Sequence, residues 1–118
     1  MSELQTVEVE SARMPSAAAT IALPLVLVAD ANPASRLRRT RQLEDRGFRV
    51  ALARTPFEAI VKASCRLPDL ILVDNSLGGA GADEATEVLS TCSATAHIPI
   101  VRLAKGRRVP VRVLAAAR

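Results

Sequence analysis

Two short aliphatic runs, each closed by an aspartate, most constrain what this chain can become: Leu25-Val-Leu-Val-Ala-Asp30 and Leu70-Ile-Leu-Val-Asp74. Neither run alternates apolar with polar residues, so each reads as a strand buried on both faces, the pattern of central parallel strands rather than of a half-solvated antiparallel sheet. A parallel sheet needs helical crossovers, and the segments between the runs supply them. Phe48 to Ala53 alternates Phe48, Val50 and Leu52 against Arg49 and Ala51, which predicts a strand with one wetter face. Ile98 to Leu103 predicts a fourth strand, with Pro99 tolerated near its start.

Helix signals fall between these strands. Asn32 before Pro33 offers a side-chain cap and a proline suited to the first helical position, and Gly47 supplies a left-handed stop. Ala34, Leu37, Thr40 and Leu43 form the expected inner side of this helix, with Arg36, Arg38, Arg39 and Arg41 largely elsewhere. Thr55-Pro56-Phe57-Glu58 is a capping box, and Phe57, Ile60, Val61 and Ser64 form the stripe of the second helix. Asn75 to Ala82, rich in glycine and small residues, predicts a loop; Ala85, Val88, Leu89 and Cys92 then define a third helix. Pro110 starts a short fourth helix, Val111 to Ala117. The order β-α-β-α-β-α-β-α predicts a parallel sheet covered by helices on both faces.

A chain of 118 residues holds one such domain. Residues 1–22 lack a period and are interrupted by Pro15, so they predict a flexible extension, with the domain spanning 23–118. Only 2% of residues are aromatic, which leaves the core to Val, Leu, Ile and Ala. Cys65 and Cys92 have no metal-binding spacing and read as small buried hydrophobes. The apolar run at 21–28 is too short for a membrane span, and the acidic residues before it do not suit an export signal, so a cytoplasmic location is expected.

The net charge of +4 is unevenly placed. Arg102, Lys105, Arg107, Arg108, Arg112 and Arg118 form a segment without acids, while the preceding residues carry ten basic and twelve acidic groups. No stacking aromatics or recognition motif accompany this charge, so a solvated face is expected rather than a nucleic-acid site. Gly78-Gly79-Ala80-Gly81 lacks the lysine of a phosphate-binding loop and the full dinucleotide fingerprint, and reads as a flexible loop.

Chemistry in open parallel sheets gathers beyond the carboxyl ends of the strands, where Asp30 and Asp74 fall. Two carboxylates there would favour a hard divalent cation; taken singly, each reads as a strand terminator or helix cap. Val28-Ala-Asp-Ala-Asn-Pro33, Pro68-Asp-Leu-Ile-Leu-Val-Asp74 and Ile98-Pro-Ile-Val101 together resemble the strand signatures of response-regulator receiver domains. The resemblance spans Leu25 to Arg118. It implies a flavodoxin-like α/β three-layer sandwich of strand order 2-1-3-4, here without the fifth strand and last helix. It implies Asp74 as phosphoacceptor, and Mg²⁺ held by Asp30, Asp74 and the backbone carbonyl of Ser76. The implied setting is two-component phosphorelay signal transduction with a sensor histidine kinase or other signalling protein as partner.

Three departures weaken the implied chemistry. Ala31 stands where the family has a second acid, Ala104 where it has Ser or Thr, and no counterpart of the fifth-strand lysine follows, with Lys105 reading as a solvated loop residue. Loss of single charge-stabilising donors costs about 3 kcal/mol in other active sites, so a degenerate receiver acting through its surface is expected, not an enzyme. The alternatives are a working Mg²⁺-dependent phosphoacceptor and nucleic-acid binding through the basic segment. An open fourth strand would also invite homodimerisation along that edge.

Overall fold

In a computed structural model, which describes residues 23–117, Leu25–Ala29 forms strand β1, buried at every position as its unbroken aliphatic run requires. The extension expected over residues 1–22 lies outside the described residues. Strand β2 (Arg49–Ala53) and strand β3 (Leu70–Asp74) flank β1, both parallel to it, and strand β4 (Ile100–Leu103) pairs with β3. The order is therefore 2-1-3-4, as expected. Helix α1 (Pro33–Asp45), helix α2 (Pro56–Arg66), helix α3 (Gly79–Thr91) and helix α4 (Val111–Ala116) complete the three layers.

The side chains of β1 and β3 alternate between two cores. Leu25, Leu27, Ala29, Ile71 and Val73 pack with Ala59 and Ala63 of α2 and with Ala82 and Leu89 of α3. Val26, Val28, Leu70 and Leu72 face the other way, onto Leu43 of α1 and Leu114 of α4, with Phe48 and Val109 closing the sides. Helix ends follow local chemistry. The Asn32 side chain accepts from the N–H groups of Ala34 (2.9 Å) and Ser35 (3.1 Å), and Gly47 takes a φ of 86° after α1. Thr55 Oγ1 accepts from Glu58 N at 3.1 Å, while Glu58 Oε1 accepts from Arg54 N at 2.6 Å. That last hydrogen bond is the main reason the Glu58 carboxyl titrates below its usual range.

Strands and caps match the sequence reading more closely than the helix faces do. The buried residues of α1 are Ser35, Arg39 and Leu43, one helical turn apart, and Leu37 is 50% exposed. In α2 the inner stripe is Ala59 and Ala63, whereas Phe57 is 76% exposed and Val61 is also exposed. In α3, Ala82, Ala85 and Leu89 turn inward, and Val88 and Cys92 are exposed; Cys65 is exposed too. The physical reason is common to α2 and α3: alanine's short side chain lets a helix backbone settle close to the sheet, and the larger residues then fall outside the contact. The expected wetter face of β2 is likewise covered, with Ala51 and Ala53 buried in the α2 core.

The expected glycine-rich loop is also ordered. Asn75–Leu77 forms a 3₁₀ turn and Gly79 already begins α3. A Cβ on Gly81 would stand 2.9 Å from the Pro56 ring, so the missing side chain is what lets α3 pass the start of α2.

Leu67, which ends α2, is the one non-glycine residue with positive φ among the described residues (47°), and its side chain is 53% exposed. Left-handed geometry costs an L-residue roughly 1–2 kcal/mol. Leu67→Gly is therefore expected to stabilise the fold by about 1 kcal/mol after glycine's own entropic cost. Chemical denaturation measures this; an unchanged or lower midpoint would contradict the strain.

Candidate functional site

The parallel register of β1 and β3 aligns Ala29 with Val73, so Asp30 and Asp74, the next residue of each run, emerge side by side at the carboxyl edge of the sheet. Both carboxylates are fully buried. Ser76, in the turn after β3, joins them: its hydroxyl donates to Asp30 Oδ1 at 3.0 Å and its backbone N–H donates to Asp74 Oδ1 at 2.6 Å. Ser76 is thus placed at the site, and it reaches the two aspartates through its hydroxyl and N–H.

The residue the sequence reading placed elsewhere is Arg39. Its side chain is 2% exposed, and Nη1 donates to both Asp30 Oδ2 (3.0 Å) and Asp74 Oδ2. Nε of the same guanidinium donates to the carbonyl of Arg107 at 3.0 Å, and Nη2 donates to that carbonyl and to that of Ala104 at 3.4 Å. Helix α1 carries Arg39 inward because Ser35 and Leu43, four residues to either side, face the same way. Ser35 Oγ itself donates to Asp30 Oδ2. A basic residue in phase with two buried positions at four-residue spacing was the available signal; a stripe drawn at three-residue spacing hid it.

Hydrogen bonds nearly saturate the two carboxylates. Asp30 accepts from Asn32 N (2.9 Å), Ser76 Oγ, Ser35 Oγ and Arg39 Nη1, which uses the four directions a carboxylate offers. Asp74 accepts from Ser76 N, Arg39 Nη1 and the backbone N–H of Gly106 at 3.2 Å. Gly106 can turn that N–H inward because it adopts a φ of 72°. Burial is the largest influence on Asp74 and opposes its ionisation. The hydrogen bonds from Ser76 and the contact with Arg39 together outweigh burial, and the carboxyl titrates below its ordinary value.

This arrangement does not fit a hard divalent cation. Mg²⁺ demands near-octahedral oxygen ligation at about 2.0–2.1 Å. The lone pairs it would take are engaged, a guanidinium already supplies positive charge between the carboxylates, and Ala31 contributes no side-chain oxygen. Among the described residues no cluster of three or more His, Cys, Asp and Glu side chains is placed to hold a metal. Lys105 is exposed, as expected, while Ala104 meets Arg39 only through its carbonyl.

No family model matches the sequence, and the comparison with curated proteins gives no match. Solved structures do match. The N-terminal domain of a response regulator receiver protein from Methanoculleus marisnigri JR1 superimposes with a TM-score of 0.67 at 26% identity, covering 80% of this chain and 76% of that one. The chemotaxis response regulator CheY4 of Vibrio cholerae gives 0.64 at 25% identity, with 69% and 68% covered. A response regulator receiver protein from Pseudomonas putida gives 0.64 at 21% identity, with 80% and 76% covered.

Removing Arg39 would leave two buried carboxylates facing each other. Breaking a buried ion pair by deleting one partner costs about 3–5 kcal/mol, so Arg39→Ala is expected to lose that much stability at pH 7. Its pH dependence should oppose that of the wild type. Asp74 titrates lower in the folded than in the unfolded protein, so its contribution is complete above the unfolded value near 3.8 and is lost as pH falls from there through the folded value. In Arg39→Ala, mild acid should instead relieve the deficit as one carboxylate of the pair takes up a proton. Denaturant titrations from pH 3 to 8 test this, and a deficit that stays constant with pH would refute the charge argument.

Proposed function

We propose that this chain, whose fold is that of a response-regulator receiver domain, is a receiver-like signalling protein that acts by protein–protein contact rather than by catalytic turnover. The observation that carries the reading is Arg39. A tethered guanidinium occupies the place between Asp30 and Asp74 where a soluble cation would have to enter, and it pairs with both carboxylates. Receiver chemistry needs Asp74 as a nucleophile with an accessible oxygen. Here Oδ2 receives two donors and Oδ1 a third, and the side chain is buried. Attack on a phosphoryl donor would require Arg39 to leave two buried carboxylates uncompensated, a step opposed by several kcal/mol.

Under this reading the protein is a degenerate member of a two-component phosphorelay. Its partner is a sensor histidine kinase or another cytoplasmic signalling protein. No helix among the described residues is long and apolar enough to cross a membrane. Strand β4 is an edge strand among the described residues, paired on one side only, and it offers a second copy a row of backbone groups to extend the sheet.

Incubation with acetyl phosphate and Mg²⁺, read by intact-protein mass, is expected to leave the wild type unmodified and indistinguishable from Asp74→Asn. Stoichiometric labelling that Asp74→Asn abolishes would replace this reading with a working Mg²⁺-dependent phosphoacceptor. Dimerisation along β4 has its own check, since a strictly monomeric species in light scattering at high concentration would exclude it.

A further inference from the structure

Six arginines from two distant parts of the chain line one cavity. Arg38, Arg39, Arg41 and Arg46 come from α1 and its end, and Arg107 and Arg108 from the segment after β4; together they surround about 480 Å³ with Asp45 as the only acid. The volume lies in the range of small-molecule sites.

The walls are held in place before any ligand arrives. Gln42 clamps Val109 from both ends, Nε2 donating to its carbonyl at 2.9 Å and Oε1 accepting its N–H at 3.2 Å. Arg39 binds the Arg107 carbonyl, and Arg38 Nη2 reaches the Gly106 carbonyl at 3.4 Å. These contacts use α1 side chains to fix the 106–109 backbone, leaving the arginine side chains of that segment at the cavity. Among the described residues, the guanidinium groups of Arg41, Arg107 and Arg108 make no hydrogen bond or ion pair. Arg39 is taken up by the two aspartates beneath and adds no free charge to the cavity. Arg41, Arg107 and Arg108 therefore bring positive charge to the cavity with guanidinium donors that are not committed elsewhere.

We propose that this cavity binds a small molecule bearing two or more phosphate groups, gripped by Arg41, Arg107 and Arg108, with Arg38 and Arg46 along the wall. Guanidinium forks pair with phosphate oxygens through two parallel hydrogen bonds, which a lysine-lined pocket could not do. Three uncommitted guanidiniums exceed the charge of one phosphate, and the volume exceeds its size. No aromatic residue lines the space, so recognition falls on the phosphates and not on a stacked base. A concave pocket also suits a compact oligophosphate better than the extended backbone of a nucleic acid, which a basic stripe would track. The inference stands independently of whether Asp74 accepts phosphate, because it uses other side chains.

Isothermal titration of the full chain with inorganic phosphate, pyrophosphate and tripolyphosphate, at about 0.15 M salt, tests the proposal. Saturable binding is expected, with tripolyphosphate tighter than inorganic phosphate by at least tenfold. The double variant Arg107→Gln/Arg108→Gln should weaken tripolyphosphate at least tenfold, and Arg41→Gln several-fold. Arg112→Gln, which removes a basic side chain outside the cavity, should change nothing. These arginines are exposed, so the variants are expected to stay folded, which far-ultraviolet circular dichroism checks. Absence of binding at millimolar tripolyphosphate would overturn the proposal. So would equal weakening by Arg112→Gln, which would indicate diffuse charge, or tighter binding of a DNA duplex lost in the same double variant, which would assign the surface to nucleic acid.

Discussion

Two carboxylates that cannot reach water must share a cation, and much of this molecule is arranged to meet that demand. The parallel pairing of β1 with β3 brings Asp30 and Asp74 together as a consequence of register. Burying both as anions without compensation would be prohibitive, and Arg39 supplies the compensation from the second turn of α1. The rest of its guanidinium then fastens the segment after β4, at the carbonyls of Ala104 and Arg107. One side chain thereby ties the sheet, the first helix and the last loop into a single arrangement, and neither α1 nor that loop can shift without exposing an unbalanced charge.

A receiver fold normally invites a reading in terms of metal and phosphate, and the likeness to solved receiver structures makes that the natural starting point. The acidic site itself argues for a different use of the same scaffold. A mobile cation can be exchanged and a phosphoryl group can come and go, whereas a tethered guanidinium stays. The proposed function accordingly rests on the domain's surfaces. The arginines of α1 and of the 106–108 segment meet only because the loop folds back onto the helix, and they turn a diffuse positive charge into a concave one.

Strands, caps and turns were legible in the sequence because each is decided locally. An unbroken aliphatic run has one comfortable environment, and Asn32, Thr55 and Gly47 act on backbone groups within a few residues. Helix faces were less legible. A stripe can be drawn through Ala34, Leu37, Thr40 and Leu43 or through Ser35, Arg39 and Leu43; every member of the second is buried, and of the first only Leu43. Hydrophobicity favoured the first, but the demand for a cation between the aspartates favoured the second. Phe57 and Cys92 were assigned to the interior by helical spacing and Cys65 by residue type, and alanines took that space because they allow closer packing.

The amino-acid sequence by itself determined a parallel α/β sheet, since period, run length and short connections leave few other topologies, and its resemblance to receiver strand signatures implied the order 2-1-3-4 that brings Asp30 and Asp74 together at the rim. What stands between those aspartates was decided only in three dimensions. Whether a guanidinium is solvated or buried depends on the charges that other strands bring to it, and those lie nine and thirty-five residues away along the chain.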